Sequence, residues 1–282
     1  FRSGGIFTGA WTVGAGQRMV GADGGYKYLD GSATQFTNAG TVAWGTTNAW
    51  YLQGGATLRN SGRMEFSADS AVAYGGGAAP SFVNDGLIVK TGGDGTLAIG
   101  NSLGFDNRGT VDVQRGTIAL PDNFTNHGTL TGSGAFAVNG TLTNEGHVAP
   151  GASPGTLTLF GHYLQGAAGS LDVELQNPGS ADLFIVNGNA TLGGTLALSC
   201  WGACSFAVGD QVVILDATGD LNGSFAAVTM AGFGSGAFDV IYDTVQDRVL
   251  LQVTEAVTPV PEPGTWALFA AGALAMGWRV RR

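Results

Sequence analysis

The chain contains three histidines, His127, His147 and His162, and the first follows closely on Asp106, Asp112 and Asp122. An imidazole that titrates near neutrality beside carboxylates is the equipment of general acid–base hydrolysis, and a pair of carboxylates flanking a sugar bond can cleave it. The three aspartates can converge on one face of a repeating structure. Two features weigh against catalysis. His127 and His147 occupy variable positions of an internal repeat, and carboxylates on an acidic surface come near one another by chance. Each of these side chains is read as a solvated surface residue, and no catalytic residue is expected.

The two cysteines, Cys200 and Cys204, bracket Trp201, Gly202 and Ala203. A metal site would need two further soft ligands within reach, and none stands nearby in the sequence. Three spacer residues also depart from the two-residue spacing of a redox Cys-x-x-Cys. In an oxidising compartment the pair is expected to close a small disulfide loop, with Gly202 easing the turn. Gly92-Gly93-Asp94-Gly95 and Ala22-Asp23-Gly24-Gly25 have the composition of calcium-binding nonapeptide repeats, but neither continues in tandem, so no metal is assigned. Gly14-Ala15-Gly16 lacks the strand-turn-helix setting of a nucleotide site. No cofactor is expected.

What would have to position these groups is the repeat itself. Six segments follow the pattern apolar-x-Asn-x-Gly-x-apolar, with asparagines at Asn38, Asn60, Asn84, Asn107, Asn126 and Asn144 and glycines at Gly40, Gly62, Gly86, Gly109, Gly128 and Gly146. Successive asparagines are 22, 24, 23, 19 and 18 residues apart, a period that suits one coil of a β-solenoid. The flanking apolar residues supply a core face stacked rung on rung. Asn tolerates a turn, and its amide can donate and accept, so equivalent asparagines can hydrogen-bond in a ladder at one corner. The glycines are expected to take a positive-φ turn conformation. Helical periodicity is absent from residues 1–258, and glycine interrupts nearly every stretch.

Composition agrees with an exported protein of this shape. Of 282 residues 49 are Gly, 12% are charged, and the formal net charge is −9. Such a chain has no electrostatic footprint for nucleic acid or an anionic lipid surface. A hydrophobic content of 44% still fills a core, so the glycines signal turns more than disorder.

The last residues, 259–282, have three parts in fixed order. Pro261, Glu262 and Pro263 come first, an uncharged apolar run over 266–278 follows, and Arg279, Arg281 and Arg282 close the chain. A helix over 264–280 would rise about 25 Å against a hydrocarbon core of about 30 Å, a marginal span. Arginines behind it hold the C-terminus in the cytoplasm and place the rest of the chain across the membrane. With Val260 before and Thr265 after the Pro-Glu-Pro core, this tail resembles the PEP-CTERM sorting signal of Gram-negative bacteria. The resemblance implies recognition by an exosortase, a membrane-embedded transpeptidase-like protease, transient anchoring in the inner membrane, and delivery to the cell surface or an extracellular polysaccharide matrix. An ordinary C-terminal membrane anchor is the competing reading. The chain begins at Phe1 without a leader pattern, so an N-terminal truncation with an export signal upstream is expected.

Residues 38–253 resemble the right-handed β-helix passengers of autotransporter-like surface proteins, on the six Asn-Gly repeats and on strand-like runs such as 182–188 and 209–215. The fold class expected is all-β: a right-handed parallel β-solenoid with a β-rich C-terminal cap and a single short C-terminal hydrophobic helix. The divisions are residues 1–198 for solenoid repeats, 199–257 for the cap, where the repeat fades, and 258–282 for the sorting signal. PEP-CTERM tails also occur on ice-binding proteins with Thr-x-Thr rows. Here the column Thr37, Arg59, Val83, Asp106, Thr125, Thr143 is broken by charged and bulky residues. The function expected is an exported, non-enzymatic surface or matrix protein, adhesin-like, with a polysaccharide-binding or polysaccharide-cleaving β-helix as the alternative.

Overall fold

The computed structural model describes residues 5–21, 24–151 and 154–258. Every element among them is a β-strand, and they wind into a parallel β-solenoid of right-handed type. The stretch 57–66 shows why. Leu58, Asn60, Met64 and Phe66 point inward and are buried, while Thr57, Arg59, Arg63 and Glu65 alternate outward. Two short strands, Thr57–Asn60 and Arg63–Phe66, are hinged at Ser61-Gly62. The period-2 alternation fixes which face is wet, and the Asn-x-Gly step turns the chain onto the next face.

Three sheets of 15, 5 and 11 strands enclose the core. The third face shows the register most plainly: Val42, Met64, Ile88, Val111, Leu130, Val148, Leu171 and Leu196 stand directly over one another. All eight are at most 1% exposed. Stacking identical positions at a rung spacing of about 4.8 Å makes one continuous apolar column out of short strands that could not bury themselves alone.

Parallel winding continues past residue 198. Thr195–Cys200 pairs with Ala227–Ala231, and Leu183–Asn187 pairs with Gln211–Ala217, both parallel. The change comes on the far edge of Gln211–Ala217, where Arg248–Glu255 runs antiparallel and Ala237–Asp243 folds back on it as a hairpin. The Asn-x-Gly spacing is gone from the last two coils, whose corners before Thr195–Cys200 and Ala227–Ala231 use Gly194 and Gly223, both at positive φ. The hairpin closes the end of the largest sheet, as a solenoid cap must. Cys200 and Cys204 are joined in a disulfide with Cα atoms 5.8 Å apart, and Gly202 between them has φ 67°.

The expected C-terminal helix and the sorting residues Val260, Pro261, Glu262, Pro263, Thr265, Arg279, Arg281 and Arg282 lie outside the described residues. Among the described residues no helix is long and apolar enough to cross a membrane.

Candidate functional site

The repeat asparagines form one hydrogen-bonded file down a corner of the solenoid. Each amide donates its Nδ2 hydrogen to the Oδ1 of the next: Asn38 to Asn60, Asn60 to Asn84 and Asn84 to Asn107 at 2.7 Å, Asn107 to Asn126 at 2.8 Å, and Asn126 to Asn144 at 2.9 Å. All six side chains are fully buried. Second donations go to backbone carbonyls one rung on, such as Asn38 to Arg63 at 3.0 Å and Asn60 to Leu87 at 3.1 Å. A primary amide is neutral, and its separate NH2 and carbonyl ends donate and accept at once, so a buried file of them can pair each amide with the next.

The file ends on different residues. Asn144 donates to the Tyr163 hydroxyl at 3.4 Å, and Tyr163 donates to Gln165 Oε1 at 2.7 Å. The Gln165 amide then satisfies the carbonyls of Gly169, Gly193 and Thr195. Burial pushes the Tyr163 hydroxyl well above the usual phenol range, keeping it a proton donor. Sequence reading missed both residues. The signal was present, because Tyr163-Leu164-Gln165-Gly166 holds an amide at the register of Asn144, one methylene longer.

The repeat glycines correct the expectation of a positive φ. None of Gly40, Gly62, Gly86, Gly109, Gly128 and Gly146 has one. What requires glycine is the rung below. A Cβ on Gly62 or Gly86 would sit 2.2 Å from the carbonyl oxygen of the preceding repeat glycine, and on Gly109, Gly128 or Gly146 2.1 Å from it. That oxygen accepts the next strand's first N–H, as in Thr110 to Gly86 at 2.7 Å, so it cannot move away.

The acid–base candidates are dispersed. Asp112 stands on Thr110–Val113 of the third face, whereas Asp106 belongs to Phe105–Asn107 of the second. The three aspartates therefore do not share one face, because the Asn107–Gly109 corner separates Asp106 from Asp112. Asp106, Asp122 and His127 do line one open depression of about 370 Å³, together with Phe105 and Phe124. Asp106 is already paired with Arg108 at 2.6 Å, and His127 Nδ1 lies 3.6 Å from its other oxygen. His147 Nδ1 is 2.8 Å from Asp172, and His162 Nδ1 accepts the Asn189 N–H at 3.0 Å. All three histidines are exposed. Burial raises the Asp112 carboxyl, opposed by a hydrogen bond donated by Gln114.

The Gly92–Gly95 loop resembling a calcium motif is wrapped round an ammonium of the chain itself. Lys90 Nζ, fully buried, donates to Asp69 Oδ1 at 2.9 Å and to the carbonyls of Gly92 at 2.6 Å and Gly93 at 2.8 Å. Its hydrogen bond holds the Asp69 carboxyl below the ordinary range. Asp94 of the same loop turns outward to Arg115 at 2.6 Å. Lys27 is buried likewise and donates to the Gly25 carbonyl at 2.6 Å.

One buried acid is set up differently. Asp182, 1% exposed, accepts the Gly155 N–H at 2.7 Å and the Glu174 N–H at 2.8 Å. Burial, with a smaller contribution from the Glu174 charge, lifts its carboxyl from 3.8 to about 6. A raised acid pKa means that the fold prefers the protonated form. Its contribution is complete below the unfolded value and is lost as pH rises through about 6, roughly 3 kcal/mol in all. Asp182→Asn is expected to flatten this part of the stability profile between pH 4 and pH 7 in urea titrations. Parallel wild-type and variant profiles would contradict it.

Comparison with known proteins places the remaining residues. Residues 259–282 match the family model of the PEP-CTERM protein-sorting motif. The chain carries a PEP-CTERM sorting motif. The match takes in all eight residues singled out for sorting, Val260 to Arg282. No curated relative matches the chain at a significant level. The PEP-CTERM motif begins just beyond the last fixed point of the cap, where Val257 exchanges two backbone hydrogen bonds of 3.0 Å with Phe206. It implies export, surface localisation and recognition by an exosortase.

Proposed function

We infer that this protein is a non-enzymatic structural component of the cell surface or extracellular matrix of a Gram-negative bacterium, adhesin-like, released by exosortase from a transient inner-membrane anchor. The observation that carries this reading is the joining of the PEP-CTERM motif to a solenoid whose interior is filled by apolar columns and a satisfied amide file. Such a body is a rigid spacer with a large, weakly charged outer surface. Several charged groups on that surface serve one another: Asp106 with Arg108, Asp94 with Arg115, Asp172 with His147.

The experiment is to follow the C-terminus by mass spectrometry in host cells with and without an exosortase. Loss of the tail is expected only where the enzyme is present. The Arg279→Glu, Arg281→Glu, Arg282→Glu variant is expected to lose orientation and retention at the inner membrane. Arg282 found intact on surface-exposed protein would sink the processing reading. Chain ending at Thr258 is expected to melt with the untruncated protein, since the cap is closed by hydrogen bonds among the described residues, up to Val257 with Phe206.

A second reading is favoured by the depression at Phe105, Phe124, Asp106, Asp122 and His127, which offers aromatic and acidic groups to a saccharide. If tail-less protein cleaved a polysaccharide and the triple His127→Ala, His147→Ala, His162→Ala variant did not, the protein would be an enzyme.

A further inference from the structure

The solenoid is capped on one face and open on another. The antiparallel hairpin closes the largest sheet, and its outermost strand, Ala237–Asp243, presents Asp239 and Asp243. Charged residues on an edge strand discourage pairing with other chains. The third face ends instead on Ala227–Ala231, whose sequence is Ala-Val-Thr-Met-Ala and whose five residues are all exposed. It pairs with Thr195–Cys200 on one side and with no strand among the described residues on the other. No charged residue or histidine occurs anywhere in residues 221–238, so this edge lacks the usual deterrents to association: a charge, a proline or a bulge.

The side chains at this edge continue the core. Val228 stacks on Leu196 and Met230 on Leu198, both core residues at most 2% exposed, yet Val228 and Met230 are themselves 42% and 47% exposed. The hydrogen-bond phase is equally specific. Ala227 donates its N–H to Gly194 inside the solenoid. Alternation along a parallel ladder then directs the groups of Thr229 and Ala231 inward too, and those of Val228 and Met230 outward.

We propose that Ala227–Ala231 is a homodimerisation edge, on which two copies of the chain pair antiparallel about a two-fold axis through Thr229. The strand is close to palindromic in chemistry. Two-fold pairing sets Ala227 against Ala231, Val228 against Met230, and Thr229 against itself. Its register matches the phase of the free groups, because Val228 and Met230 of opposite copies exchange both backbone hydrogen bonds. Thr229 occupies a non-hydrogen-bonded site at the axis. Apolar pairs and a Thr–Thr pair are favourable across strands, and such an interface is closed and isologous. The neutral strip lets two chains, each of formal charge −9, approach where neither carries charge. Head-to-tail stacking would need a parallel rung on all three faces, and the antiparallel hairpin denies it one.

Engineered disulfides in the full chain test this directly, since the native cysteines are paired and no free thiol competes. A non-hydrogen-bonded antiparallel pair puts Cα atoms about 4.5 Å apart, within reach of a disulfide. Under mild oxidation, Thr229→Cys is expected to form a covalent dimer at least about ten-fold more readily than Thr131→Cys on the same face. Ala227→Cys is expected to link to Ala231→Cys in mixed samples and not to itself. Thr229→Lys should abolish the non-covalent dimer in light scattering while leaving the thermal midpoint within a degree or two. Equal cross-linking of Thr229→Cys and Thr131→Cys, or persistence of the dimer in Thr229→Lys, would overturn the two-fold pairing. So would cross-linking of Thr229→Cys to Val20→Cys at the opposite end in preference to itself.

Discussion

Gly109→Ala is expected to unfold the middle of the solenoid at temperatures where the wild-type chain is intact. The added methyl would stand 2.1 Å from the Gly86 carbonyl oxygen and 2.7 Å from the Asp85 carbonyl carbon. These are backbone atoms with no rotamer to escape into. Relief requires the rungs to separate, which breaks the Thr110 to Gly86 bond of 2.7 Å and the Gly109 to Asn84 bond of 2.8 Å. Each buried group left unpaired costs about 1–3 kcal/mol, so with the disturbed amide file the loss is about 4–6 kcal/mol. That approaches the roughly 5–15 kcal/mol by which ordinary domains are stable. Gly100→Ala is the control, since a Cβ there meets its nearest atom at 3.5 Å and φ is not positive. Urea midpoints should separate the two variants widely. Equal midpoints would mean that the rungs give way easily.

Asn84→Asp is expected to be the most damaging isosteric change in the chain at neutral pH. Asn84 accepts from Asn60 at 2.7 Å and donates to Asn107 Oδ1 at 2.7 Å and the Thr110 carbonyl at 3.2 Å. A carboxylate keeps the acceptor role and loses both donations, and it places a charge against two oxygens in a site with no exposure. Breaking a buried hydrogen-bonded arrangement in this way costs about 3–5 kcal/mol. Burial raises the pKa of the new acid, and its protonated form can donate one bond again. The deficit relative to wild type should therefore shrink as pH falls from 7 towards 4. Asn84→Ala, which has no titrating group, should show a deficit that does not recover in acid. A pH-independent deficit in Asn84→Asp would refute this account of the file.

The coil and its corner were legible in the sequence because they recur. An apolar residue, an asparagine and a glycine at fixed offsets, repeated at coil spacing, leave few alternatives to stacked rungs. The tail was legible for a different reason: three compositional blocks in order are a pattern independent of fold. What the repeat could not disclose is which of two steric demands its glycines meet. Positive φ and close backbone approach both select glycine, and only the position of the Gly86 oxygen under Gly109 tells them apart. Lys90 was hidden by the general rule that lysines lie outside. Its burial depends on carbonyls from Gly92 and Gly93 closing over it, and on Asp69, a full coil earlier. Tyr163 and Gln165 escaped because the sequence changes while the function of the position does not. The last coil, 211–231, escaped because its corner at Gly223 has Asn222 directly before the glycine and not the Asn-x-Gly spacing of the repeat.

The placement of Lys27 and Lys90 has a practical side. They are the only lysines in the chain, and both are at most 1% exposed, Lys27 bonded to the Gly25 carbonyl and Lys90 to Asp69 and the carbonyls of Gly92 and Gly93. The described surface therefore offers acylating and aldehyde reagents no lysine amine. Biotinylation of intact cells with succinimidyl esters would pass over the folded domain even on a fully displayed molecule. Trypsin is confined to arginines for the same reason. Detecting this protein at the surface calls for carboxylate-directed or affinity-tag labels, and covalent coupling of the matrix to it cannot run through lysine side chains while it stays folded.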